Sequence, residues 1–466
     1  MKRILLFCLI ITFALSFTAC SRDGDDGLAG YRVVSDIRLT SSEGGVSVYT
    51  VYYLDGTTST FEVENATSGD GEDVGVTISA LYEQYKKIYG DIEYKEFLSL
   101  YLGSTVGEGA ILNEMLLSTA SVYTEFVPRS AIATKNTLNS GGAVIYSVGE
   151  EYTYLITNFH VVYSKADSKA AEKIHIYLYG SESSPELDEA SELYKKPYLY
   201  DSYAIECGLV GYSAEHDIAV IYAKTEDILA KNPAVKAAHF ADSYAVGETA
   251  VTVGNPRSSG LSVTRGIVSV KSEYIELNLD GKSRSYRTMR IDTPLYNGNS
   301  GGAVFNEEGL VIGIANAGAG TDQNINYAIP TELARAVADS IIYYYEDGDD
   351  ATFGVYKIQV GVRLAPENTH YVYDSVTGRG DIVEDVVITE VLADSSASGL
   401  GLLPGDKLVS VTLGDKTYGI ERYYNLRDVL LSARVGSVYS LTILRGEKEI
   451  VTANVVVTAN DLVKVD

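Results

Sequence analysis

Ser300 stands in the run "YNGNSGGAVF" (296–305), with Gly298 two positions before it and Gly301 and Gly302 directly after it. A serine hydroxyl is almost wholly protonated near neutral pH, so it attacks a carbonyl only when a neighbouring base removes its proton. The chain has five histidines to supply that base: His160, His175, His216, His239 and His370. His160 closes the apolar run "YLITNFHVV", a place that also suits a packed core residue. Asp217 opens the very apolar "DIAVIYA", where a carboxylate also suits a turn at a strand edge. Each residue alone is a weak signal. In the chain order histidine, aspartate, serine they form a set able to run acyl transfer, with His160 as base and Asp217 fixing its tautomer and stabilising the imidazolium.

"GNSGG" also satisfies the pattern G-x-S-x-G of a nucleophile on a strand-to-helix elbow, but that arrangement needs its acid and its histidine after the serine. Only His370 follows Ser300, in the remote "ENTHYVYD". The residues after Ser300 read as a hairpin turning at Glu307 to Gly309 rather than as a helix, so the elbow reading fails.

The elements that must position these residues are short strands. "GGAVIYS", "YTYLITNFHVV", "KIHIYLYG", "DIAVIYA", "ETAVTVGNP", "LSVTRGIVSV", "YRTMRIDT" and "GLVIGIANAG" are separated by turn signals between about Ser121 and Ser340. That density of strands predicts closed antiparallel barrels or sandwiches. "PTELARAVADSIIYYYE" follows as an amphipathic helix and "EDGDD" as an acidic linker. Upstream, "VSVYTVYYLDGTTSTFEVEN" reads as two β-rich runs meeting at Asp55-Gly56, and "ISALYEQYKKIYGDIEYKEFLSLYL" as two helices broken at Gly90-Asp91.

The segment from "ITNFHVV" through "HDIAVI", "VTVGNP", "SVTRGIVS" and "GNSGGAVFNEEGLVIGIANAG" to "INYAIP" resembles the trypsin-like serine peptidases of bacteria, specifically the HtrA/Deg type. The resemblance implies a mainly β chain with a chymotrypsin-like double β-barrel peptidase domain and a serine endopeptidase acting on unfolded or damaged exported proteins. It places the catalytic triad on His160, Asp217 and Ser300, and the oxyanion hole on the loop Gly298, Asn299 and Ser300, with the N–H groups of Gly298 and Ser300 as donors. By analogy the substrate pocket includes Ile314, Ala315 and Asn316. Pro294 stands six residues before Ser300, where an Asp would select Arg or Lys, so a small or medium apolar residue is expected before the cut. Asn299 stands where many digestive relatives have Asp, which argues for control by loop ordering rather than by trimming of an N-terminus.

"VVITEVLADSSASGLGLLPGDKLVSVTLGD", with the helix "NLRDVLLSARVG" and the strand "VYSLTILRGEKEI", resembles a PDZ domain, an α+β module that adds an extended peptide as a strand. The resemblance implies peptide C-termini as ligands, captured near Val360, Gly361, Val362 and Arg363. It also implies a homo-trimer, the common assembly of HtrA-like enzymes.

The first residues, "MKRILLFCLIITFALSFTAC", have the positive start, short apolar stretch and small-residue end of an export signal, and the run is shorter than a spanning helix needs. The ending resembles a bacterial lipobox with Cys20 as the lipidated residue, so a membrane-anchored, outward-facing protein is expected. Of three cysteines only Cys207 then remains in the mature domains, and no intrachain disulfide is expected. The formal net charge of −26 over 466 residues argues against nucleic acid as a partner. The histidines lack ligand spacing and Asp347 to Asp350 lacks the alternation of a calcium loop, so no metal or other cofactor is expected.

The expected organisation is a signal peptide (1–19), a tether (20–30), a small β-hairpin module (31–75), a helical segment (76–118), the peptidase domain (119–345), an acidic linker (346–355) and the PDZ domain (356–466). A second class of function stays open from sequence alone: a PDZ-containing chaperone or binding protein that holds unfolded chains with little turnover.

Overall fold

The computed structural model describes residues 34–43, 46–53, 58–64, 86, 108–181, 183–318, 324–346, 355–374, 379–393 and 395–465. The expected signal, the Cys20 anchor, the tether, most of the helical segment and most of the acidic linker lie outside them. The chain divides into two compact units, Met1–Ala110 and Ile111–Asp466.

In the first unit β1 (Val34–Glu43), β2 (Val46–Tyr53) and β3 (Thr58–Glu64) form an antiparallel sheet in that order. The sequence predicts the β2–β3 hairpin. The structure adds β1, which pairs with β2 from Val34↔Tyr53 to Glu43↔Val46.

Helix α1 (Glu108–Leu117), most of it in the second unit, leads into a closed barrel. Its strands are β4 (Thr119–Phe126), β5 (Thr137–Val148), β6 (Tyr152–Thr157), β7 (Lys173–Leu178), β8 (Ile205–Ser213) and β9 (Ile218–Lys224). They close in the order β8-β9-β6-β5-β4-β7. A second sheet contains β10 (Thr249–Gly254), β11 (Ser262–Asn278), β12 (Ser283–Ile291), β13 (Ala303–Phe305), β14 (Leu310–Gly318) and β15 (Asn326–Pro330). It runs β14-β13-β10-β11-β12-β15 and returns on itself because β15 also pairs with β14.

The apolar strands are buried on both faces, and their period of two divides them between cores. In β9, Ala219, Ile221 and Ala223 fill the first barrel, while Ile218 and Val220 face the layer between the barrels. In β10 and β13, Ala250 and Val304 fill the second barrel, while Val251, Val253, Ala303 and Phe305 join the same middle layer. Helix α2 (Thr331–Glu346) adds Leu333, Val337 and Ile341, four residues apart on one face, to that layer. The middle layer therefore makes the two barrels one packed body.

Past the second barrel, a C-terminal α+β module has its own core, including Val386, Ile388, Leu408, Leu426, Leu441 and Ile443. Its main sheet follows the order β17 (Val362–Asp374), β18 (Arg379–Val391), β19 (Lys407–Leu413), β20 (Val438–Arg445) and β21 (Lys448–Val451), and β16 (Val355–Ile358) pairs with β22 (Leu462–Val465). The loop "GLLPGD" is closed by Asp406, whose buried carboxylate accepts Arg445 through both oxygens at 2.7 and 2.8 Å.

The module is fastened to the barrels by Arg287 of β12, a guanidinium whose side chain is 1% exposed. It donates to Asp428 in helix α3 (Asn425–Leu430) at 2.6 Å and to Glu332 of α2 at 3.0 Å, and lies over the Tyr424 ring at 4.4 Å. Burial pushes the Asp428 carboxyl up to about 6, against the pull of Arg287. Removing one partner strands the other charge. Asp428→Ala is expected to cost about 3 kcal/mol, read as a lower unfolding midpoint in denaturant. The double replacement Arg287→Met with Asp428→Leu should recover most of that loss.

Candidate active site

The three candidate residues come from three short connections that the barrels bring together. His160 lies in the single helical turn Phe159–Val162 that follows β6, and its side chain is 27% exposed. Asp217 is fully buried in the turn before β9, in the left-handed region at φ 54, which Asp tolerates better than most residues. The turn is braced by the buried Asn158, whose Nδ2 donates to the Asp217 carbonyl at 2.9 Å.

The Asp217 carboxylate meets His160 twice. The His160 backbone N–H donates to Oδ1 at 3.0 Å, and His160 Nδ1 lies 2.8 Å from Oδ2 and 3.1 Å from Oδ1. This geometry puts the proton on Nδ1 and leaves Nε2 as the acceptor. Burial alone would push the imidazole down, but the Asp217 charge and hydrogen bond outweigh it, and the pKa is held above its ordinary 6.5. The other histidines differ. His216 is buried beside Arg427, Lys357 and Arg287, and burial followed by those charges pushes it down to about 3. His175 is stacked on Tyr200 at 3.8 Å, and burial lowers its pKa.

Ser300 begins the turn into β13. Gly142 donates its N–H to the Ser300 carbonyl at 2.8 Å, and Thr157 Oγ1 donates to the Gly142 carbonyl at 2.7 Å. There is no space between these strands. A Cβ on Gly142 would lie 2.8 Å from the Gly302 backbone, and one on Gly301 would lie 2.3 Å from both the Gly142 carbonyl and Thr157 Oγ1. A Cβ on Gly141 would meet the Ser300 carbonyl and the Val161 side chain at 2.8 Å. The Ser300 loop is thus lodged against the segment that carries His160. The Ser300 hydroxyl itself donates to the Asn316 carbonyl at 3.1 Å and makes no hydrogen bond to His160 in this state.

Among the described residues the N–H groups of Gly298 and Ser300 have no acceptor, while Gly301 N–H donates to Ala315 and Gly302 N–H to Asn299. Gly298 has φ +101, and a Cβ there would lie 2.1 Å from the Asn255 carbonyl. Asn299, grouped with these donors by its place in the sequence, does not belong with them: its N–H is spent on the Tyr296 carbonyl at 2.9 Å.

The pocket expectation also needs correction. Strand alternation sends the Ile314 side chain into the layer between the barrels and Ala315 into the second barrel, so neither side chain faces a substrate. Asn316 sits at an irregularity in the β14–β15 ladder, between Ala315 and Ala317, and contributes its carbonyl to the site. In the C-terminal module the Val360 carbonyl accepts from Ala397 N–H, the Gly361 carbonyl accepts from Leu392 N–H, Val362 pairs with Val391, and the exposed Arg363 pairs with Glu390.

Sequence reasoning missed Gly141, Gly142, Asn158 and Asn255. A signal for the first two was available: residues 140–144 and 300–304 both read Ser-Gly-Gly-Ala-Val.

Two barrels with this histidine, aspartate and serine at their junction define the class of the trypsin-like peptidases. The family described as the trypsin-like peptidase domain matches residues 139–314, and the chain carries such a domain. The curated proteins it is similar to are named as serine proteases or endoproteases. The serine protease Do-like HtrA of Bacillus subtilis is 27% identical over 321 residues, covering 66% of this chain and 62% of that protein. The serine endoprotease DegS of Escherichia coli is 28% identical over 264 residues, covering 54% and 66%. The chain thus spans less than two thirds of the length of these relatives. A solved HtrA-type protease, AlgW with a tripeptide, matches 76% of this chain and 97% of its own at 25% identity and a TM-score of 0.45.

In a histidine NMR titration, the His160 resonance is expected to titrate above pH 6.5 in the wild type. In Asp217→Asn the midpoint should fall, because burial then acts without the opposing carboxylate.

Proposed function

We propose that this protein is an HtrA-like serine endopeptidase that hydrolyses peptide bonds of unfolded or damaged exported proteins. The observation that carries the reading is the His160–Asp217 pair beside a Ser300 loop whose Gly298 and Ser300 N–H groups have no acceptor among the described residues.

In the reaction, Ser300 turns from the Asn316 carbonyl toward His160 Nε2, a rotamer change available on a fast timescale. His160 takes the hydroxyl proton as the oxygen attacks the scissile carbonyl, and returns it to the leaving amine. Asp217, already holding Nδ1, stabilises the imidazolium. The developing oxyanion meets the N–H groups of Gly298 and Ser300, each such contact contributing about 10²–10³-fold in rate. Water then cleaves the acyl-enzyme with His160 as base. Only neutral His160 can act, so kcat/KM rises with pH through a midpoint above 6.5.

The C-terminal module is read as a PDZ domain for peptide C-termini. β17 is an outer strand of its sheet, which supports binding by strand addition. Cys20 is read as the lipid-anchored residue of an outward-facing membrane protein, and the working assembly as a homo-trimer.

The test uses the full chain in detergent beside Ser300→Ala. A fluorophosphonate probe should label the wild type only, and cleavage of unfolded casein should be lost in the variant by at least 10³-fold. A wild type that neither labels nor cleaves, even with PDZ-binding peptides added, would replace this reading with that of a holding protein.

A further inference from the structure

Asn326 opens β15 and is 1% exposed, a buried amide where strand alternation calls for an apolar side chain. Two residues on, Ala328 shares its face of the strand and fills the second barrel. The Asn326 side chain is fixed as well as enclosed. Its Nδ2 donates to the Thr293 carbonyl at 2.8 Å. Thr293 is fully buried, with its hydroxyl 3.0 Å from that of Thr252, and the Pro294 carbonyl accepts from Thr264 Oγ1 at 3.3 Å. Asn326 Oδ1 faces β14: a Cβ on Gly318 would lie 2.7 Å from it and 4.0 Å from the Leu295 carbonyl. In the sheet Asn326 pairs with Ile291 on one side and Gly318 on the other. Its amide therefore spans the gap between the chain leading into the Ser300 loop and the end of β14.

That gap is where a substrate must place one side chain. The residue before the cut presents its carbonyl carbon to Ser300 and its carbonyl oxygen to the N–H groups of Gly298 and Ser300. Once the Ser300 hydroxyl has turned away, the Asn316 carbonyl is left to accept that residue's own N–H. A residue held at both points has its side chain between the segments 295–298 and 316–318, directed at Asn326. Gly318 adds no side chain to the wall, so the depth of the slot is set at its end. We propose that Asn326 is the residue that determines specificity there, its amide closing the slot so that alanine or valine fits before the cut and leucine, phenylalanine or tyrosine does not. The inference rests on the peptidase reading and deepens it by naming the side chains accepted and the group that limits them. A longer side chain would have to displace a buried, hydrogen-bonded amide, and even one methylene at such a wall changes selection by about 10–200-fold.

The experiment compares wild type and Asn326→Gly as full chains in detergent on unfolded casein, with every cut mapped by mass spectrometry. The wild type should cut after Ala and Val at least about tenfold more often, per available bond, than after Leu, Phe and Tyr. In Asn326→Gly the lengthened slot should raise cuts after Leu and Phe at least about tenfold relative to cuts after Val, with turnover after Val within about threefold of the wild type. A residue that only supports the fold would change turnover and leave the pattern of cuts alone. A wild type with a weaker preference than this, or a variant whose pattern shifts by less, would overturn the proposal. If the Gly variant does not fold, Asn326→Ala decides by the same limits. A wild type that cleaves no casein would sink the peptidase reading, and this assignment with it. An active wild type with an unchanged pattern in the variant sinks the Asn326 assignment alone.

Discussion

The site depends on the contact between two glycine pairs, Gly141-Gly142 in the first barrel and Gly301-Gly302 in the second. A Cβ at Gly142 or Gly301 would lie within 2.8 Å of the opposite strand, so the barrels meet backbone to backbone there. Ser300 and His160 sit on different barrels, and this approach lets Ser300 lie beside the segment 157–161. The middle hydrophobic layer supplies most of the attraction between the barrels, but burial of apolar area is non-directional. What fixes the register is the chain of hydrogen bonds from Thr157 to Gly142 and from Gly142 to Ser300. Packing brings the barrels together, and these bonds set where Ser300 stops.

The electrostatics of the site are a contest between burial and one carboxylate. A pKa unit is about 1.4 kcal/mol, so His160 rises above 6.5 only because Asp217 contributes more than burial removes. Asp217 manages this while fully buried because its oxygens already accept the His160 N–H and ring, and Asn158 holds its turn. A carboxylate so placed fixes the imidazole by geometry as well as by charge.

Much of this was legible in the sequence, for physical reasons. The doubly buried strands are dense in Val, Ile and Ala and are separated by turn residues, so closed antiparallel barrels or sandwiches follow from pattern, while the double barrel itself came with the resemblance to the trypsin-like peptidases. His160, Asp217 and Ser300 stand near strand ends in an order that one known scaffold uses. What could not be read was side-chain direction. Ile314 and Ala315 lie close to Ser300 through their main chain, yet strand alternation commits their side chains to two different cores. Asn299 sits among the hole donors in sequence, but the turn gives its N–H to Tyr296. The first strand, Val34–Glu43, is polar along much of its length and is recognisable only by its pairing with Val46–Tyr53.

The resting state separates two requirements of the chemistry. Among the described residues the Gly298 and Ser300 N–H groups have no acceptor, whereas the Ser300 hydroxyl is engaged on the Asn316 carbonyl. That carbonyl is available because the β14–β15 ladder is irregular between Ala315 and Ala317, which takes Asn316 out of regular pairing. A preorganised anion site must be rigid, since its contribution comes from dipoles that need not reorganise. A nucleophile need not be, because a single χ1 rotation moves it at little cost. The fold follows this division. Peptide planes around Ser300 are pinned by close glycine contacts and by backbone bonds with Gly142 and Ala315, whereas the hydroxyl is held by a single hydrogen bond to the Asn316 carbonyl.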